Sequence, residues 1–247
     1  MKDKIKNLIK KFDSIILNDS LQKIYRKIYG IKKNRLFYKN QFPKLKYYFH
    51  SYYWNNFFKY IIKKKLKGDI VECGVGNGVS LSIILFNLIY FERYYYDKKK
   101  YFGFDSFQGF PEPTIFDQSP RNPKKGEWDH SNIPFILDNL INSGFKNEDI
   151  KKFVNLKRGY FNQSFKNFDV SSISLLHIDC DLYESTKLSL EKFYPKVVSN
   201  GLIVFDEYLN TKEYWPGAVK AINEFFGKKK KQIQFNKITG KYFYIKP

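Results

Sequence analysis

From residue 68 onward the chain alternates short apolar runs with longer stretches of helical period. Residues 69–73, 101–105, 153–156, 174–179 and 202–205 are apolar runs of strand length. Between them, 79–92, 133–143, 186–193 and 218–226 repeat apolar residues at spacings of three and four, which predicts helices. Strands and helices in alternation predict a parallel sheet with crossover helices. Residues 232–238 and 241–245, joined at Thr239 and Gly240, predict a closing antiparallel hairpin. The expected fold class is α/β, doubly wound and mostly parallel, with that hairpin at one edge.

Ahead of this pattern the chain reads as helical from 1 to about 66. Ile5, Leu8, Ile9, Phe12, Ile15 and Ile16 recur at helical spacing with lysines between them, and 37–66 is dense in aromatics. A basic amphipathic helix can pack on its own core, meet a second copy of the chain or lie on a membrane. The expected division is therefore a helical extension over 1–66, serving as a lid, a homo-oligomer contact or a peripheral membrane contact, and a main domain over 67–247.

Composition narrows the class. With 247 residues, 43% of them hydrophobic, the chain can bury a substantial core. No apolar run approaches the roughly 20 residues of a membrane-spanning helix, and the charged start lacks the apolar stretch of a secretory signal. Cys73 and Cys180 lie in apolar runs and read as buried reduced thiols, which suits a cytoplasmic protein. The formal net charge of +20 raises nucleic acid as a partner. Yet the lysines are spread along the whole chain, which suits a solvated surface or attraction of an anionic substrate such as a nucleotide sugar; no nucleic-acid partner is expected.

Candidate chemistry sits where strands end. Val71-Glu72-Cys73-Gly74-Val75-Gly76-Asn77-Gly78 joins the first strand to the first helix. Gly74, Gly76 and Gly78 let the backbone bend and let a ligand approach it. Such a turn could serve a dinucleotide, S-adenosylmethionine or only a tight bend. It lacks the third glycine of the dinucleotide G-x-G-x-x-G spacing, however, and Glu72 would repel a pyrophosphate while favouring a sulfonium and an amino group. Asp105, with Ser106, ends the second strand, where a carboxylate can accept both hydroxyls of a ribose or simply cap a turn. Asp179, Asp206 and Glu207 end two neighbouring strands about 4.8 Å apart. They are either ordinary capping or surface carboxylates or a cluster that needs a cation, for which hard oxygen donors select Mg²⁺. Asp181 is within reach of the same place. The long loop 106–132 carries His130, a candidate general base alongside Asp179, whereas His177 reads as a structural histidine on its strand.

Gly103-Phe-Asp-Ser-Phe-Gln-Gly-Phe-Pro-Glu-Pro113 and His177-Ile-Asp-Cys-Asp-Leu-Tyr-Glu-Ser-Thr186 resemble the macrocin O-methyltransferase (TylF/MycF) family. The resemblance runs from about 68 to about 226 and takes in Asn200 to Tyr208 and Pro216 to Phe226. It implies a seven-stranded class I methyltransferase (Rossmann-like) sheet, S-adenosylmethionine as methyl donor, and a magnesium ion held at Asp179, Asp206 and Glu207. It further implies a sugar hydroxyl as acceptor, on a nucleotide-linked or surface-polysaccharide sugar. The family usually has two aspartates where this chain has Asp206-Glu207. A catechol-type small-molecule acceptor is the neighbouring alternative.

Overall fold

The computed structural model describes residues 46–166 and 168–247, with side chains from 54 onward. The amphipathic stretch 5–16 and the side chain of His50 lie outside the described residues.

Helix α1 (Lys46–Lys63) buries Trp54, Phe57, Phe58 and Ile61, whose spacing sets them on one stripe. The stripe joins the same core as Ile70, Leu175 and Leu202, so the expected boundary at 66 falls just behind a helix that belongs to that core. The sheet follows. Strands β1 (Asp69–Cys73), β2 (Tyr101–Asp105), β3 (Val154–Arg158), β4 (Ile173–Ile178) and β5 (Val197–Phe205) run parallel. Strands β6 (Gln234–Asn236) and β7 (Lys241–Ile245) close it antiparallel, in the order β3-β2-β1-β4-β5-β7-β6. This is the expected doubly wound, seven-stranded architecture.

Side chains alternate across the sheet, as strand geometry demands. Ile70, Leu175 and Val204 face one layer, built with α1, α2 (Val79–Tyr90), α3 (Ile133–Asn142) and α4 (Asn147–Phe153). Val71, Cys73, Leu176, Ile178 and Ile203 face the other, built with α6 (Tyr183–Phe193) and α7 (Pro216–Phe226), reached after the short α5 (Phe161–Ser164). Apolar cover on both faces explains why these strands read as continuous apolar runs.

Around β3 and β5 the structure departs from the sequence reading. Helix α4 was not expected, and it moves the start of the third strand from 153 to Val154. Strand β5 starts at Val197 instead of 202, because Asn200 (φ 62) and Gly201 sit inside it at a register irregularity, although they look like a turn that opens it.

The chain steps outward from β1 through β2 to β3, then returns to lay β4 on the other side of β1. That reversal makes a crevice at the carboxyl ends of β1 and β4, where open α/β sheets bind ligands. Both cysteines lie there, free and buried, and burial pushes both thiols up. No helix among the described residues is long and apolar enough to cross a membrane.

Candidate active site

A cleft of about 930 Å³ opens at this crevice, lined by Gly74, Val75, Gly76, Asn77, Asp105, Ser106, His130, Asp179, Asp181, Asp206 and Lys241 among others. Its first half is the glycine bend. The Gly74 amide donates to the Phe104 carbonyl (2.8 Å), and the Asp179 amide donates to the Cys73 carbonyl (2.9 Å). The two strand ends therefore touch through backbone. A Cβ on Gly74 would lie 1.7 Å from the Asp179 carbonyl oxygen, and the residue's φ is +91°, so this position must be glycine.

Gly76 differs. Its φ is +51°, yet a Cβ there would meet nothing within 4 Å, because it points into open cleft. Gly76→Ala should accordingly fold with a penalty of about 1–2 kcal/mol for left-handed backbone. If the bend holds the S-adenosylmethionine expected from the sequence, the variant should bind it about tenfold or more weaker by calorimetry, because the methyl would enter that space. Unchanged affinity would remove the bend from the binding site. Gly78 caps α2 and faces Ile136, packing the helix without lining the cleft.

Asp105 braces the bend. Its Oδ2 accepts from the amides of Val75 (3.0 Å) and Gly76 (2.9 Å), and its Oδ1 accepts from Phe107 (2.7 Å). It remains half-buried at the cleft wall. The Ser106 hydroxyl donates to the Gly109 carbonyl and accepts from the Gln108 amide, holding the start of the long loop.

The second half is acidic. Pairing of Ile178 with Phe205 sets Asp179 beside Asp206, and an oxygen from each of Asp179, Asp206 and Glu207 lies within 4.8 Å of the others. Burial, reinforced by neighbouring carboxylates, pushes the carboxyls of Asp181 and Glu207 well up. Burial also raises Asp179, opposed by the charges of His177 and Lys241. These hard donors fit a divalent cation, which would neutralise the repulsion they suffer.

Lys241 is one residue of the cleft that the sequence reading did not single out. Antiparallel pairing of Phe205 with Tyr242 brings Lys241 across from Asp206, with which it makes an ion pair. Burial lowers its ammonium, while the charges of Asp179, Glu72 and Asp181 hold it up. Nothing local marks it, because lysines occur throughout the chain and its partner lies on another strand.

Glu72 takes a different place from the other candidates of the bend, with a carboxylate oxygen within 4.8 Å of ligand atoms of His177 and Asp179. It was expected to face a cationic ligand, but it is wholly buried and absent from the cleft wall. One carboxylate oxygen accepts from the Tyr101 hydroxyl and the other bonds His177 Nδ1 (2.6 Å). Strand alternation turns it onto the layer of Ile70, beneath the bend. His177, buried on β4 at the floor of the cleft, packs edge-on against Trp54 (4.9 Å). His130 Nε2 lies 3.1 Å from Asn77 Nδ2, so the candidate base is tied to the glycine bend.

The family model of the macrocin-O-methyltransferases (TylF) matches residues 53–246. The demethyldecarbamoylnovobiocin O-methyltransferase of Streptomyces niveus is 27% identical over 169 residues, covering 68% of this chain and 62% of its own length. The 8-demethyl-8-(2,3-dimethoxy-alpha-L-rhamnosyl)-tetracenomycin-C 4'-O-methyltransferase of Streptomyces olivaceus is 25% identical over 153 residues, 60% of this chain and 56% of its own. The chain thus spans about three fifths of the length of the curated relatives it matches. Among solved structures, CalS11, a calicheamicin methyltransferase, superposes with a TM-score of 0.64 at 21% identity over 79% of this chain and 77% of its own, a likeness of fold.

Proposed function

The chain belongs to the macrocin O-methyltransferase family, and from that premise we propose that it is an S-adenosylmethionine-dependent O-methyltransferase acting on a sugar hydroxyl. One observation carries the reading: a glycine bend open to the cleft and a cluster of carboxylates meet back to back through the contact of Gly74 with Asp179. The relative named for rhamnosyl-tetracenomycin methylation supports a sugar acceptor. We take that sugar to be nucleotide-linked or part of a surface polysaccharide, handled in the cytoplasm. An RNA acceptor is disfavoured, because phosphodiesters would meet the carboxylates of this cleft.

In this reading Gly76 leaves room for the methyl donor and Asp105 holds the bend in shape at the ribose end. S-adenosylmethionine, when bound, supplies the methyl group. Asp179, Asp206 and Glu207 would hold Mg²⁺, which supplies positive charge beside the acceptor hydroxyl and lowers its pKa. Asp179 stands where the two halves meet, and we assign it to orient that hydroxyl and receive its proton. Calorimetry with S-adenosylmethionine, with and without Mg²⁺, followed by turnover on a panel of nucleotide sugars, tests the scheme. We expect cofactor binding without metal and methylation that stops with a chelator. Absence of cofactor binding sinks the function, and turnover indifferent to chelation sinks the metal.

The ammonium of Lys241 and a divalent ion would compete for the same carboxylates. Lys241→Met should therefore tighten Mn²⁺ binding by on the order of tenfold, after discounting the Coulomb term for partial exposure. It should also lower the melting temperature of the metal-free protein, whose carboxylates lose their resident cation. A metal isotherm identical to the wild type would show that the ion pair is incidental.

A further inference from the structure

The loop between β2 and α3 forms a braced wall of the cleft. Phe110 and the 126–127 segment pair through two backbone hydrogen bonds, Phe110 N to Glu127 O and Gly126 N to Phe110 O, each 2.9 Å. Gly109 fits there because a Cβ would lie 2.4 Å from the Gly126 carbonyl. Thr114 and Asp117 form a capping box, and Asp117 Oδ1 accepts the Tyr183 amide (2.7 Å), tying the wall to the start of α6. Arg121 forms a two-pronged pair with Glu127.

This wall presents Trp128. Its φ is +68°, a backbone state that costs a bulky residue free energy and points to a local requirement. Packing of the indole is an incomplete recompense, because Trp128 is 48% exposed, whereas Trp54 and Trp215 are 2% and 9% exposed. The ring is backed by Phe110 (centroids 5.0 Å), Trp215 (5.7 Å) and the Arg121 guanidinium (5.0 Å). The indole lines the same cleft as Asp179, Asp181 and Asp206. Asp181, 7% exposed, offers a nearly buried carboxylate there, itself held at a positive φ of 60°.

A rigid apolar plate beside inward-facing carboxylate acceptors matches a ligand with one apolar face and a rim of hydroxyl donors. A pyranose has that amphipathy: a face of C–H groups and equatorial hydroxyls. We propose that Trp128 is the platform on which the acceptor's pyranose ring stacks, with Asp181 accepting a hydrogen bond from one of its hydroxyls. The assignment rests on the sugar reading above and adds the subsite that reading lacks.

Methylation of dTDP-rhamnose, UDP-galactose, methyl α-rhamnoside and catechol, at saturating S-adenosylmethionine and Mg²⁺, tests it. For whichever sugar the wild type accepts, Trp128→Ala should raise KM by about tenfold or more with kcat changed by less than about threefold, and Trp128→Phe should fall between. The affinity for S-adenosylmethionine should stay within about twofold of the wild type. On the wild type, the accepted sugar should shift or quench tryptophan emission, and Trp128→Phe should abolish that signal, so a poorly folding alanine variant does not spare the proposal. If the wild type methylates a sugar and both variants keep its KM, the platform is wrong and the function stands. If the wild type methylates no sugar, or takes only catechol, the function reading falls and the platform with it.

Discussion

Asp179→Asn should lower turnover by about a thousandfold, the scale on which removal of a charged group at the reacting centre is felt. The affinity for S-adenosylmethionine should stay within about threefold. The substitution keeps shape and volume but removes the charge that Asp206, Glu207 and the proposed ion share, and it removes the acceptor for a hydroxyl proton. What Asp179 gives the glycine bend is its backbone, because the amide bonds Cys73 and the carbonyl lies against Gly74. An amide side chain leaves that contact alone. Turnover on a sugar acceptor and calorimetry with the cofactor measure the two quantities separately. Equal loss of both would mean that the side chain itself supports the cofactor half, and the division of labour would be wrong.

Gly74→Ala should be the most destabilising single change in the cleft. The added methyl would lie 1.7 Å from the Asp179 carbonyl oxygen and 2.6 Å from its carbon, both backbone atoms fixed by the β1–β4 pairing. Strand separation at the sheet's centre, added to a left-handed φ, puts the cost at about 4 kcal/mol or more. Urea denaturation of the free protein measures it. A loss below about 1 kcal/mol would show that β1 and β4 part easily here. Gly76→Ala is the internal control, since the same methyl two residues away meets no atom. The two glycines of one motif thus serve different ends, one bringing backbones together and the other leaving space.

Much of this was readable from the amino acids. Strands β1, β2 and β7 match their expected ranges to the residue, because a short apolar run between polar residues or glycines is a local signal. What escaped depends on partners far away in the chain. Helix α6 starts at Tyr183, earlier than the expected 186, because the Asp117 side chain caps its first amide from a loop 66 residues upstream. Helix α4 is short and polar, although Glu148 and Asp149 in its first turn and Lys151 and Lys152 in its last are the charge order a helix dipole favours. In the site, the acidic cluster was foreseeable from strand order alone. The burial of Glu72 was not legible, because motif reading does not say which side of a strand a residue takes. Lys241 and Trp128 carry no local mark: one depends on strand register, the other on a braced loop.

The two thiols have a use of their own. Cys73 immediately precedes the glycine bend and is sealed from solvent, whereas Cys180, between Asp179 and Asp181, is buried but reaches the cleft wall. A disulfide reagent in bulk water can reach Cys73 only when that edge of the sheet breathes, so the labelling rate of this thiol becomes a clock for local opening. Any small molecule that clasps this edge should slow the clock, which makes ligand discovery feasible before a single acceptor is in hand.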